Sequence, residues 1–263
     1  DAQGLVLMPG IIDSHTHYDA QITWDSFATP SVSLGVTTVV MGNCGFTIAP
    51  CRPEHRELTL RNLTQVEGMS LEALLEGTRW NFTTFPEYLN QLEDVGVVPN
   101  VAAFCGHSSL RTWVMGEEAT KREATDYEIR AMKGMLKEAL RAGAIGFATS
   151  TFEGHNGAGG VPMPSRLAGE RELHELNAAL GEAEVGLFML TKGRQTTIPF
   201  LESLAEESKR PVVIAALQYD HANPTMVFDD LKAIGEARQR NHPLYGQVGC
   251  TPVTFEFTLD AAY

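Results

Sequence analysis

The chain has 263 residues, with 33 acidic and 20 basic side chains and a formal net charge of −13. An acidic surface repels phosphate backbones and anionic lipid, which argues against nucleic acid and membrane surfaces as partners. Hydrophobic residues at 43% and charged residues at 20% allow a sizeable core and argue against disorder, and the length suits one large α/β barrel domain or two smaller ones.

The chain starts at Asp1 without a methionine, is entering an apolar strand by Leu5, and stops at Tyr263, which suggests missing sequence on both sides. No charged segment followed by an apolar stretch opens it, so no signal peptide is visible, and the longest apolar runs are too short to span a bilayer. Cys44, Cys51, Cys105 and Cys250 fit neither a zinc-finger spacing nor a small disulfide framework. Reduced thiols in a cytoplasmic protein are the expectation.

In chain order, residues 10–12 lead into a first strand ending near His17, and the β-branched run 35–41 reads as a second. Residues 97–104, 144–149, 185–191, 211–217 and 245–250 give five more. These runs are short and bounded by Gly, Pro or polar residues, as buried parallel strands should be. Helices fall between them. Thr84 and Glu87 form a capping box ahead of Tyr88, Leu89 and Leu92. Thr125 and Glu128 repeat the device ahead of Ile129, Met132, Leu136 and Leu140, with Gly143 where a left-handed terminus is wanted. Leu173, Leu176 and Leu180 mark another helix, Leu201 and Leu204 a further one, and Asn223-Pro224 is a helix start. Strand-helix alternation implies a parallel sheet covered by helices. Seven strands in sequence suggest an α/β fold of the (β/α)8 TIM-like barrel kind whose last strand is missing. An open doubly wound sheet is the alternative, weakened by the lack of a Gly-rich fingerprint after the first strand. The glycine-rich loop 154–160 would then lie on the catalytic face of the barrel.

Asp13-Ser14-His15-Thr16-His17 carries the strongest chemical signal. Alternate residues of a strand point the same way, so His15 and His17 project together, and two imidazoles on one face are half of a zinc site. A pair of hydrogen-bonded core histidines is the bland alternative. Asp13 and Asp19 are placed to receive the second ring N–H. Cys44 follows at the end of the second strand, either a thiolate ligand beside the histidines or a small buried hydrophobe. The glycines around it favour a tight turn about the sulfur.

Two segments now become specific. Pro9-Gly10-Ile11-Ile12-Asp13-Ser14-His15-Thr16-His17-Tyr18-Asp19 resembles the opening motif of the amidohydrolase superfamily. Gly35-Val36-Thr37-Thr38-Val39-Val40-Met41-Gly42-Asn43-Cys44-Gly45-Phe46 resembles its D-aminoacylase branch, the N-acyl-D-amino-acid deacylases. Gly106-His107-Ser108-Ser109-Leu110-Arg111 and, less tightly, Pro162-Met163-Pro164-Ser165-Arg166-Leu167-Ala168 resemble that branch too. The similarity runs from about residue 8 to 217.

The resemblance implies one partial catalytic barrel domain over residues 1–263. It implies a metal-dependent hydrolase of a linear amide, an N-acyl-D-amino acid, acting through a metal-activated water. Zinc is the implied metal, with one or two ions bound. His15 and His17 would bind one position and Cys44 the other, or bridge the two. The general base of the family, an aspartate at the end of the last strand, would lie beyond Tyr263. Two departures stand out. Thr191-Lys192-Gly193-Arg194 has lysine where the family has a metal-binding histidine, and Ala215-Ala216 replaces a Ser-His pair, with His221 the nearest histidine. Lys192 is either a carbamylated ligand or an ordinary ammonium. His107 would face the mouth and polarise the carbonyl, or tie down a loop. Arg194, Arg166 and Arg111 are candidates for a substrate carboxylate, with surface ion pairs as the alternative. His155 is a lid residue or simply exposed, and His55, His174 and His242 have no expected chemistry. Cyclic amide or imide hydrolysis, and a barrel that has lost its metal and serves as a binding subunit, are the competing functions.

Overall fold

A computed structural model describes residues 3–250. Short apolar runs become parallel strands, and the amphipathic stretches between them become helices. The first strand, β1, spans Ile11–Asp13, and β2 spans Val36–Met41. The third strand is built in two pieces, β3 (Asn100–Ala103) and β4 (Cys105–Gly106). The remaining strands are β5 (Gly146–Ser150), β6 (Leu187–Thr191), β7 (Val212–Ala215) and β8 (Leu244–Gly246). All seven strand positions read from the sequence are present among the described residues.

The sheet orders are β1-β2-β3 and β4-β5-β6-β7-β8, every pair parallel. Phe104 joins the two halves. Its N–H bonds the Met41 carbonyl at 3.0 Å on one side, while the Ile145 N–H bonds the Ala103 carbonyl at 3.0 Å on the other. The third strand thus pairs back to β2 with its first half and forward to β5 with its second. That stagger gives barrel strands their tilt.

Eight helices cover the sheet: α1 (Arg56–Glu67), α2 (Leu71–Gly77), α3 (Phe85–Val95), α4 (His107–Met115), α5 (Asp126–Ala142), α6 (Glu170–Ala183), α7 (Ile198–Ser208) and α8 (Met226–Gln239). Both capping boxes form, at Thr84–Glu87 and Thr125–Glu128, and Gly143 closes α5 in the left-handed conformation. The Asn223-Pro224 start is corrected. The Asn223 side chain bonds Asp220 within a turn, and α8 begins after Thr225. The sequence periodicity does not announce α1, α2 or α4.

Alternation along the strands sorts side chains into two layers. Phe147 and Phe188, opposite each other on β5 and β6, stack at 5.5 Å and are fully buried on the helix side. Met189 and Thr191 take the opposite, inner face, where both reach Cys44. β1 departs from the buried pattern, since Ile11 and Ile12 are 47% and 64% exposed. No helix among the described residues is long and apolar enough to cross a membrane.

Candidate metal centre

The ladder of β1 ends at Asp13, yet the chain keeps following β2. The Thr16 N–H and hydroxyl both donate to the Val40 carbonyl, at 3.0 and 2.7 Å. His15 and His17 flank Thr16 and therefore leave on the same side. The Gly42-Asn43-Cys44-Gly45 turn brings the sulfur to them. Gly42 and Gly45 have φ of +78° and +75°. A Cβ at Gly42 would meet the Phe104 carbonyl at 2.7 Å, and one at Gly45 the Ala148 carbonyl, also at 2.7 Å. Cys44 itself sits at φ +58°, a left-handed conformation uncommon outside glycine. Strain of this kind persists where the surroundings hold it, often at functional sites.

The Cys44 sulfur lies 3.3 Å from His15 Nε2 and 3.9 Å from His17 Nε2. The three donor atoms are all within 4.8 Å of one another, and no other such cluster of metal-ligating side chains occurs among the described residues. Ligands at ordinary zinc–nitrogen and zinc–sulfur distances around a tetrahedron stand about 3.5 Å apart. The set therefore fits a metal such as zinc. Burial holds His17 down to about 3, helped by the neighbouring His15 and His155, and burial also lowers His15. Both imidazoles are thus neutral, as ligands must be. Burial pushes the Cys44 thiol up to about 12, against a hydrogen bond from Thr191, so it stays protonated until a cation replaces the proton. His17 Nδ1 is buried with no hydrogen-bond partner among the described residues.

The second ring nitrogens do not find Asp13 or Asp19. Among the described residues Asp13 accepts the His15 backbone N–H, at 3.4 Å, and neither ring. Asp19 is buried and accepts the Gly42 N–H at 2.9 Å, which pins the turn, and burial pushes it up to about 7. The partner of His15 Nδ1 is Gln247, at 2.8 Å, a residue the sequence reading overlooked.

Three expected site residues lie elsewhere. Lys192 does not join the cluster: Thr191 takes the inward position, so Lys192 turns away and pairs with Asp230 of α8 at 3.0 Å. His107 does not face the mouth. It is fully buried in the helix layer, bonded through Nδ1 to Thr149 and through Nε2 to Glu172, at 2.8 Å each. Arg111 is fully buried beside it, held by Glu172 at 2.7 Å and by the carbonyls of Ala119 and Arg122. Burial would raise Glu172, but its bonds to His107 and Arg111 outweigh that and hold it low. Among the described residues both ring nitrogens of His107 and both terminal nitrogens of Arg111 are bonded within the protein, and the Arg111 Nε is buried without a partner.

The glycine-rich loop does close on the centre. The His155 ring packs on Phe46 at 4.8 Å, and Phe46 packs on His17 at 5.8 Å. Ser150, fully buried, accepts the Phe152 N–H and shares a hydrogen bond of 2.7 Å with His155 Nδ1. Arg166 braces the same loop by bonding the His155 carbonyl and the Asn156 side chain. Arg194 is exposed, and its backbone N–H bonds Glu153. His174 and His242 are occupied by Glu207 and Glu202, and His221 lies in an exposed turn. All four cysteines are unpaired.

The amidohydrolase family model matches residues 1–258. The chain belongs to the amidohydrolase family. Its relatives include an N-acyl-D-aspartate deacylase of Alcaligenes xylosoxydans xylosoxydans, 43% identical over 152 residues, 58% of this chain and 28% of that protein. A crystal structure of D-aminoacylase, described as defining a novel subset of amidohydrolases, superposes with a TM-score of 0.69 at 31% identity. That match covers 91% of this chain and 46% of the other. An N-acyl-D-glutamate deacylase from Bordetella bronchiseptica, solved with zinc and a phosphonate mimic of the tetrahedral intermediate, gives a TM-score of 0.66 at 26% identity over 90% of this chain and 46% of that one. This amidohydrolase thus spans less than half the length of the structures it matches. The seven parallel strands are those of a (β/α)8 barrel.

Proposed function

We propose that the protein hydrolyses the amide bond of N-acyl-D-amino acids at a zinc centre held by His15, His17 and Cys44. The observation that carries the reading is the convergence of these three donors, two of them neutral imidazoles, at ligand spacing. Three protein ligands and one open position are the pattern of a catalytic zinc site, and this supports a single metal rather than a pair. A zinc ion there supplies Lewis acidity to a water and to the scissile carbonyl. Thr191 donates its hydroxyl to Cys44 at 3.1 Å and steadies the sulfur when it is ionised. His155, packed on Phe46 beside the centre and held through Nδ1 by Ser150, would serve as a donor for the acyl oxygen when its Nε2 carries the proton. Arg194 is the remaining guanidinium suited to the substrate carboxylate. The names of the relatives support an N-acyl-D-amino acid as the substrate class. Unpaired thiols suit a reducing, cytoplasmic setting.

The test is metal content by plasma mass spectrometry on the full-length protein, with turnover of matched N-acyl-D- and N-acyl-L-amino acids. One zinc per chain, lost in His15→Ala together with a D-selective activity, is the expected result. Zinc-loaded protein with no turnover of either series, but cleavage of a cyclic imide, would overturn the linear-amide reading.

A further inference from the structure

Gln247 is the one side chain that reaches a proposed ligand from the far end of the described chain, 232 residues away in sequence. Its amide makes three bonds. Nε2 donates to the Ser14 carbonyl at 3.1 Å and to the Ser14 hydroxyl at 2.9 Å, and Oε1 faces His15 Nδ1 at 2.8 Å. The Ser14 carbonyl can only accept, so it fixes which end of the amide is which. A flipped amide would set oxygen against oxygen there and lose that bond. Oε1 is then the group facing the ring, and it too can only accept. His15 must therefore donate Nδ1–H and keep its lone pair on Nε2, the nitrogen 3.3 Å from the Cys44 sulfur.

The backbone beneath this amide is anchored. The Gln247 N–H bonds the Ile214 carbonyl at 2.9 Å, and its carbonyl accepts from Leu217 at 2.8 Å. The side chain is thus carried by the β7–β8 edge and reaches to the end of the first strand. Neither Asp13 nor Asp19 performs this service for either ring.

We propose that Gln247 is a positioning residue for the metal centre, selecting the His15 tautomer that leaves Nε2 as a ligand and fixing the ring's rotation. The inference rests on the zinc reading of the site, and its test separates the two. A neutral imidazole without such a partner divides its proton between both nitrogens, and the fraction protonated at Nε2 cannot ligate. Loss of a partner of this kind weakens metal binding by about 10–100-fold.

The experiment has two readouts. Long-range proton–nitrogen correlation on metal-free protein labelled with 15N-histidine reports the His15 tautomer, and competition with a chromogenic chelator gives the zinc dissociation constant. The wild type is expected to show Nδ1–H at His15. Gln247→Leu should redistribute the tautomers and weaken zinc about 10–100-fold, while Gln247→Glu, which keeps the acceptor, should retain Nδ1–H and recover most of the affinity. An Nε2–H tautomer in the wild type would overturn the proposal without any variant, even if Gln247→Leu fails to fold. So would a Gln247→Leu protein with the wild-type tautomer and affinity. A wild type with the expected tautomer but no zinc affinity would instead sink the metal centre and leave the role of Gln247 confined to orienting the ring.

Discussion

At the end of the first strand His15 and His17 gather on Cys44, and one ring nitrogen, His17 Nδ1, has no partner among the described residues. At the end of the third strand His107 has both ring nitrogens bonded, to Thr149 and to a Glu172 that also holds Arg111. Burial lowers the histidines in both places, so a depressed pKa does not tell them apart. What differs is how the donors and acceptors are counted out. Around His107 the ring nitrogens and the terminal nitrogens of Arg111 have partners within the protein, and the Glu172 carboxylate joins the two side chains. Around Cys44 three potential ligand atoms converge on one point. The first arrangement holds a fold together, and the second is the one proposed to take up a cation.

The largest effect should come from breaking the closed cluster. Glu172→Ala leaves the Arg111 charge buried without its carboxylate and is expected to cost about 3–5 kcal/mol of stability in urea unfolding. Zinc affinity of the folded fraction should stay within about threefold of wild type, since sites that share no partner couple weakly. A collapse of affinity at full folding would join the two regions and break the contrast. Next, Cys44→Ala should weaken zinc on the order of 100-fold or more, because it removes the only anionic ligand. The metal-free protein should lose little stability in the same unfolding assay.

The pH dependence sharpens the point. His17 is already neutral well above its value of about 3, whereas Cys44 at about 12 keeps its proton until metal displaces it. One proton is released per zinc, and lowering the pH opposes binding. The logarithm of the affinity should therefore rise by about one per pH unit between about pH 5 and 8 in chelator titrations. A slope near two at the acid end would show that an imidazole is also losing a proton there. The smallest effect is expected at Lys192→Met. Its ion pair with Asp230 is part-exposed, so stability should change by less than about 1 kcal/mol. Zinc content should not respond to added bicarbonate in either protein, and a response in the wild type would restore the carbamate.

Much of this was legible in the sequence, and the misses share a cause. The strands show because buried parallel strands are short apolar runs, and His15, His17 and Cys44 show because each sits at a strand end with a local pattern. Lys192 was misplaced although parity alone argues against it, since Thr191 and Lys192 are neighbours on a strand and face opposite layers. His107 and Arg111, four apart on α4, do share a face, but the carboxylate that claims both comes from a helix more than 60 residues on. α4 also follows Gly106, which offers no side-chain cap, and buries two serines, so its periodicity is masked. Gln247 has no motif at all. An amide gains meaning only from the two groups between which it is placed, and here both lie at the other end of the chain.

The left-handed backbone at Cys44 limits how this centre can drift in evolution. Branched residues are barred from the position by their own Cβ substituents, whatever chemistry they would bring. Glycine and asparagine fit the backbone but surrender the negative charge. Aspartate is the replacement that suits the conformation and still brings an anion, and it would exchange a soft sulfur for a hard oxygen. A lineage leaving cysteine here would thus be steered by backbone geometry toward metals such as manganese, before any selection on the substrate had begun.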